Sequence, residues 1–438
     1  MQYLHPSGNL DDLDAEVRVN SVRSLVSICE TLTCSKNPIF SNSEEESSLF
    51  LCIKNEVIQT LLKALDDYTV DNRGDVGSWV REASINGLEK CTYYLCKKDS
   101  EKLLCDPACL FFDANTATSI IGGFAKQGVE KLDKLREISM KTLYRIFNKK
   151  LCITSIPHFE AIKLIIPDVQ DFRWRAPQMS FPCLVKLLQF SCYSKVVLSG
   201  LVISIGGLQD SLRKDSVAAL LEYIQNSEEY TNGKRNVREY MLSVDLLSIL
   251  KEYQKLDRVI IPTLKTIEIL FSKKIFTNMK DYNLDLYAGV LNSLTIEMKA
   301  TKDFSKLLTG LSILGYISSV EENINIRAFT MLLTHLTHRY PKIRKASADQ
   351  VYLVILQNEN LLARNIMEDV LEILTETCWE SDLDKAKERM FQIFTMAGLD
   401  FESITKQPKQ AKPIPKDRIC SNNDENSSYS SLVGFSGF

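Results

Sequence analysis

Only four histidines (His5, His158, His335 and His338) occur in the 438 residues, and no two of the twelve cysteines are spaced CxxC. A zinc centre is therefore not expected, and single cysteines at apolar helical positions (Cys29, Cys91, Cys192) read as reduced, buried thiols of a cytosolic or nuclear protein. No uninterrupted run of about 18 apolar residues is present and the N-terminus is polar, so neither a membrane span nor a signal peptide is expected. Sustained apolar/polar alternation between turns is also missing, which leaves little room for β structure. The GxxxxGK[ST], GxGxxG, HExxH and GxSxG signatures are absent, so no catalytic residue, cofactor or metal site is assigned. A net charge of −3 provides no broad basic field for nucleic acid.

What the chain does contain is a short code repeated five times. An apolar residue precedes Arg, with Ser at +4, an aliphatic at +8 and a mostly apolar residue at +11. The copies are Val17-Arg18, Ser21, Leu25, Ile28; Val80-Arg81, Ser84, Leu88, Cys91; Leu135-Arg136, Ser139, Leu143, Ile146; Leu212-Arg213, Ser216, Leu220, Tyr223; and Ile343-Arg344, Ser347, Val351, Val354. A small residue at a fixed helical offset lets two helices approach closely. Ser84, Ser139, Ser216 and Ser347 are therefore assigned to helix–helix contacts. Repetition of helix pairs points to an all-α, HEAT/armadillo-like α-solenoid of stacked antiparallel pairs, whose repeats run to roughly 40–47 residues. Such a fold accommodates 438 residues without one oversized core, because each pair buries its apolar face on its neighbours.

Helices are expected over 14–32, 49–65, 77–96, 115–126 and 130–149, with an exposed loop over 34–48 containing Pro38 and Ser43-Glu44-Glu45-Glu46-Ser47-Ser48. Pro157, Pro167, Pro177 and Pro182 then crowd around Phe172-Arg173-Trp174-Arg175, too densely for one helix. Helical periodicity resumes from 183 to 397, with Pro341 at a turn between two helices. Residues 1–404 are read as the repeat region. Residues 405–438, with Lys406, Lys409, Lys412 and Lys416 among prolines and a serine-rich end, read as a disordered tail.

One connection stands apart. Residues 66–79 are long for a helix–helix link, where two to eight residues are usual, and long loops tend to be functional or disordered. This loop carries Asp67, Tyr68, Asp71, Arg73, Asp75 and Trp79, which are assigned as candidate partner-binding residues because aromatic and arginine side chains dominate hot spots. Asp75 is placed to cap the following helix, and Arg81 to snorkel outward or reach back to the acidic loop. On this reading Asp67 and Arg73 belong to exposed pairs, replaceable with little loss of stability.

The run Leu65-Asp66-Asp67-Tyr68-Thr69-Val70-Asp71-Asn72-Arg73-Gly74-Asp75-Val76-Gly77-Ser78-Trp79-Val80-Arg81-Glu82-Ala83 resembles a distinctive segment of the tubulin folding cofactor D family. Phe172-Arg173-Trp174 and the stretch from Tyr193 to Leu208 follow in a similar order. The resemblance covers roughly 10–400, with 48–250 similar to that family's C-terminal domain. It implies a non-catalytic helical chaperone that binds β-tubulin. With cofactors E and C and an Arf-like small GTPase, such a chaperone assembles or dismantles the αβ-tubulin heterodimer and contributes to GTPase activation. It also implies a cytoplasmic, microtubule-associated setting with no nucleic-acid or membrane partner. The competing reading from the residues alone is a HEAT-repeat scaffold or transport adaptor without tubulin activity.

Overall fold

The computed structural model describes residues 14–34, 43–101, 110–149, 155–167, 172–225, 237–276, 283–320, 324–358 and 361–399. The tail predicted over 405–438 lies outside them. Among the described residues the secondary structure is helical, and the sole β feature is an isolated bridge between Asp71 and Gly74.

In chain order, α1 (Ala15–Thr33) is followed by α2 (Ser43–Cys52), a π-helical turn and α3 (Ile58–Ala64). Then come α4 (Gly77–Glu101), α5 (Ala114–Gly128) and α6 (Asp133–Phe147). The proline-rich stretch yields only the short α7 (Phe159–Ile165) and α8 (Pro177–Leu184). Longer helices return as α9 (Ser191–Ile205), α10 (Asp210–Gln225), α11 (Val237–Glu252), α12 (Asp257–Ser272), α13 (Asn283–Glu297) and α14 (Phe304–Ser318). The last are α15 (Ile324–Thr334), α16 (Pro341–Gln357), α17 (Arg364–Glu376) and α18 (Leu383–Met396).

These helices form two rows. Along one, α5, α9, α12, α14 and α16 each pack on the next; along the other, α11 packs on α13 and α13 on α15. Sequential partners such as α5 and α6, or α15 and α16, join the rows, and α1, α4 and α6 stack at one end. The apolar core is continuous from Val19 to Phe394. This is the all-α solenoid the code predicts. The loop expected over 34–48 is corrected at 43–48, where α2 already starts at Ser43; residues 35–42 lie outside the described residues. Glu44, Glu45 and Glu46 occupy its first turn, where carboxylates complement the positive end of the helix dipole. Trp174 is buried against Phe172, at 4.5 Å between ring centroids, and so packs the proline-jointed corner.

The arginine of the code has a common task in three of its copies: it sits at the start of the second helix and satisfies backbone carbonyls in the turn just before it. Arg136 donates to the carbonyls of Glu130 and Lys131, both at 2.9 Å, and to Arg175 in the following connection at 2.8 Å. Arg344 donates to His338 at 3.0 Å, then across to Trp379 at 2.7 Å and Ser381 at 2.6 Å. Arg81 reaches back in the same way to the Asp67 carbonyl at 3.2 Å. Each guanidinium thus pairs carbonyls that would otherwise be buried unsatisfied. The other two copies differ: Arg213 is exposed and bonded to Asp210 one turn away, and Arg18 pairs with the Asp67 carboxylate.

All four assigned serines are fully buried. Ser139 donates to the Phe124 carbonyl at 2.8 Å and Ser347 to that of Leu332 at 2.7 Å, the same offset of fifteen residues in both pairs. Ser216 bonds within its own helix, to Leu212. The Ser84 hydroxyl is buried without a partner among the described residues.

Two tests follow from this packing. Arg344→Met leaves several buried carbonyls unpaired, at about 1–3 kcal/mol each, so it should lower the denaturation free energy by at least about 2 kcal/mol. Arg213→Met, at an exposed position, should change it by under about 0.5 kcal/mol. Equal effects in chemical denaturation would refute the capping role.

The second test uses His338, whose pKa is pushed down to about 4 by burial, then by His335, Arg339 and Arg344. Its Nδ1 accepts from the Tyr340 N–H at 3.2 Å, a bond that the protonated ring cannot accept. The folded value lies below the ordinary 6.5, so this contribution to stability is full above pH 6.5 and is lost as pH falls toward about 4. The melting temperature should drop across that window. His338→Asn, which keeps an acceptor near Nδ1 but does not titrate, should flatten the drop.

Candidate functional site

The 66–79 connection is a folded object. It turns sharply at Asp71–Gly74, whose N–H and C=O groups bond reciprocally at 3.0 Å. Gly74 makes that turn with φ +104°, a left-handed value that glycine adopts without a Cβ penalty. The loop then closes where the Gly77 N–H donates to the Thr69 carbonyl at 3.0 Å. A Cβ on residue 77 would stand 2.3 Å from the Asp67 carbonyl oxygen, so only glycine fits there. Asp75 accepts from the Ser78 N–H at 3.1 Å, supplying the helix-start contact expected of it.

Beneath the loop lies a knot of charge. Asp67 accepts from Arg18 of α1 at 2.8 Å, with both side chains nearly inaccessible (2% and 7% exposed), and it also accepts from the N–H and hydroxyl of Thr69. Arg81, fully buried, bonds Asp75 at 3.1 Å as well as the Asp67 carbonyl. The Tyr68 ring is contacted by two guanidinium groups, Arg258 at 3.5 Å and Arg81 at 4.5 Å from its centroid. The Tyr68 hydroxyl donates to Glu130, which also accepts from Gln127 at 3.3 Å. Lys126, buried at the end of α5, pairs with Asp66 at 2.5 Å.

Formally the four cations Arg18, Arg81, Lys126 and Arg258 face the four carboxylates Asp66, Asp67, Asp75 and Glu130. Burial pushes the Tyr68 phenol well above its ordinary range, and the Glu130 charge adds to that. Burial also raises Glu130, against the pull of Arg81 and Lys126. Tyr68 is consequently a neutral donor at every physiological pH.

The structure therefore divides the six candidate residues. Asp67, Tyr68 and Asp75 point inward and brace the loop, while Asp71, Arg73 and Trp79 are exposed. Arg73 bonds Asp71 at 2.8 Å and Asp14 at 3.3 Å, and its guanidinium lies 5.1 Å over the Trp79 ring. Trp79, 39% exposed, stands at one end of a groove of about 520 Å³ between α1 and α4, where Arg23, Asn86, Lys90 and Lys134 also line the walls. The expectation that Asp67 is an exposed, dispensable partner is corrected by its burial against Arg18. Sequence reading missed Lys126, Glu130 and Arg258. The adjacent Lys126-Gln127 at the end of an otherwise apolar helix was a usable signal, whereas Arg258, 190 residues from Tyr68, left none.

Comparison with known proteins bears on the same region. Residues 118–306 match the family model Tubulin folding cofactor D C terminal. The chain is also 28% identical over 444 residues to Tubulin-specific chaperone D of Dictyostelium discoideum, an alignment covering 92% of this chain and 29% of the relative. Both comparisons thus find this chain similar to tubulin folding cofactor D. It spans under a third of the length of that chaperone. The family-model match runs from within α5 into α14 and begins after the 66–79 loop, whereas the longer alignment covers too much of the chain to miss the loop. No described helix is long and apolar enough to cross a membrane.

Removing one partner of a buried ion pair leaves the other charge uncompensated, at a cost of about 3–5 kcal/mol. Asp67→Ala should lower the denaturation free energy by about that amount, and Asp67→Asn by less because it keeps acceptor capacity. Arg73→Ala should leave the melting temperature unchanged, since exposed pairs contribute little. Thermal denaturation of the three variants tests this, and a stable Asp67→Ala protein would refute the brace.

Proposed function

We propose that this chain works as the C-terminal part of a tubulin chaperone, binding β-tubulin without chemistry of its own. In this reading it joins cofactors E and C and an Arf-like small GTPase to assemble or dismantle the αβ-tubulin heterodimer. It contributes to GTPase activation of tubulin and acts in the cytoplasm, in association with microtubules. The observation that carries it is the alignment to Tubulin-specific chaperone D across 92% of the chain. Two features of the structure support it. An extended solenoid offers a long surface to a large partner, and the braced loop presents Trp79 and Arg73 without needing to order itself on binding, which removes an entropic cost of association.

The contact surface in this reading includes Asp71, Arg73 and Trp79, with Asp67, Tyr68 and Asp75 holding them in place. Purified chain should retain αβ-tubulin in a pull-down, and Trp79→Ala should weaken that binding by about tenfold or more, as loss of a hot-spot aromatic does. Arg73→Ala should weaken it too, with the melting temperature unchanged. Undiminished tubulin binding by both variants would remove the loop from the interface. Failure of the unaltered chain to bind tubulin, or any of the other named partners, would favour a scaffold without tubulin activity.

A further inference from the structure

The groove beside Trp79 runs along one face of α4. Trp79, Glu82, Ala83, Asn86, Gly87 and Lys90 line it at the i, i+3, i+4, i+7, i+8, i+11 spacing of a single helical stripe. From Trp79 to Lys90 the helix rises by about 16 Å, which sets the length of the groove. Its floor consists of small or nearly inaccessible groups, Ala83 and Gly87 of α4 and Val26 of α1. A Cβ at residue 87 would stand 2.7 Å from the Val26 Cγ2, so the two helices touch there and the floor is sunk below the side chains that flank it. Asn86 is exposed at mid-length, and its amide bonds nothing among the described residues.

The rim is cationic. Arg23 of α1 is exposed and pairs with nothing among the described residues. Lys90 reaches Glu30 at 2.8 Å and Lys134 of α6 reaches Glu82 at 2.7 Å, with both lysine side chains more than half exposed. Glu82 is the one carboxylate that lines the groove, against three cations. We propose that the groove is a docking site for an acidic peptide segment of a partner protein. Its carboxylates would lie on Arg23, Lys90 and Lys134, and a small apolar side chain on the floor of Val26, Ala83 and Gly87.

The existing ion pairs do not oppose this. Exposed pairs contribute only about 0–1 kcal/mol, so an incoming carboxylate can take over Lys90 or Lys134 while Glu30 and Glu82 return to water. Asn86 offers a donor and an acceptor to the peptide backbone, and Trp79 closes one end as an aromatic anchor. Contacts at an exposed rim act chiefly on the rate of encounter and weaken as salt is added. A nucleic acid fits less well. Glu82 in the wall repels phosphates, a single aromatic cannot stack successive bases, and the whole chain carries −3. The assignment rests on the reading in which Trp79 contacts a partner, and it adds the chemistry which that partner presents.

Trp79 supplies the readout. The other two tryptophans, Trp174 and Trp379, are 3% and 5% exposed, so a ligand in the groove acts selectively on the emission of Trp79. The full chain is titrated with the peptide Glu-Glu-Ala-Glu-Glu-Ala-Glu and with its glutamine counterpart, at low and at physiological ionic strength. The expected result is a saturable change in tryptophan emission with the glutamate peptide alone, at an affinity that falls with salt. Arg23→Glu should weaken that affinity by about tenfold or more with the melting temperature unchanged, and Lys90→Glu should weaken it as well. Arg213→Glu, the same change of net charge placed on α10, should leave it unaltered. The proposal is overturned by the absence of a saturable change, by equal binding of the glutamine peptide, or by equal weakening in Arg213→Glu. Tighter binding of a single-stranded oligonucleotide of the same charge would also overturn it. If the peptide fails while the chain retains tubulin, the acidic docking site falls and the tubulin reading stands. If the peptide binds while tubulin is not retained, the docking site stands and its partner is another protein.

Discussion

The constraint on which this arrangement depends is the need to neutralise charge that the fold has taken out of water. Arg18, Arg81, Lys126 and Arg258 converge beneath one loop, and isolated ions of that kind are prohibitively costly in a low-dielectric interior. The matching carboxylates come from the loop itself (Asp66, Asp67, Asp75) and from the turn after α5 (Glu130), with Tyr68 as a shared aromatic face and donor. Any other path for residues 66–79 would strand at least one of these charges. What the knot chiefly provides is a single geometry for a connection long enough to have had many, and the exposed Arg73–Trp79 edge inherits that definition.

The same logic, in a neutral form, runs through the repeats. A turn between packed helices leaves carbonyls pointing into protein, and a guanidinium at the start of the second helix can satisfy several at once. Arg136 and Arg344 do so across two connections each, which is why an arginine, and not a lysine with its compact point charge, occupies the position. Arg213 shows the limit of the rule. Its helix begins directly after the short Gly206–Gln209 link, and the side chain stays at the surface beside Asp210.

Much of the fold was legible because it is local. Helical periodicity, prolines at the joints and a small residue at a fixed offset are all written within a dozen residues of one another. The misread 43–48 segment failed for a local reason as well: a run of glutamates looks like loop until it is placed in the first turn of a helix. The site was legible only in outline. Its residues stand out in the sequence as a cluster of aspartates, arginines and aromatics, but their division into inward and outward sets depends on Arg18, Lys126, Glu130 and Arg258. Those come from three separate places in the chain, and nothing near Asp67 announces that its partner lies 49 positions earlier.

The guanidinium of Arg258 on the ring and carbonyl of Tyr68 bridges 190 positions, from the start of α12 back to the loop before α4. A solenoid whose units touch only their neighbours behaves as a one-dimensional chain, free to nucleate anywhere and to fray from either end. A clasp over that separation closes a large loop, and the entropy of closure must be met before the contact forms. The stretch from α4 to α12 is thereby turned from a string of independently melting segments into one cooperative block.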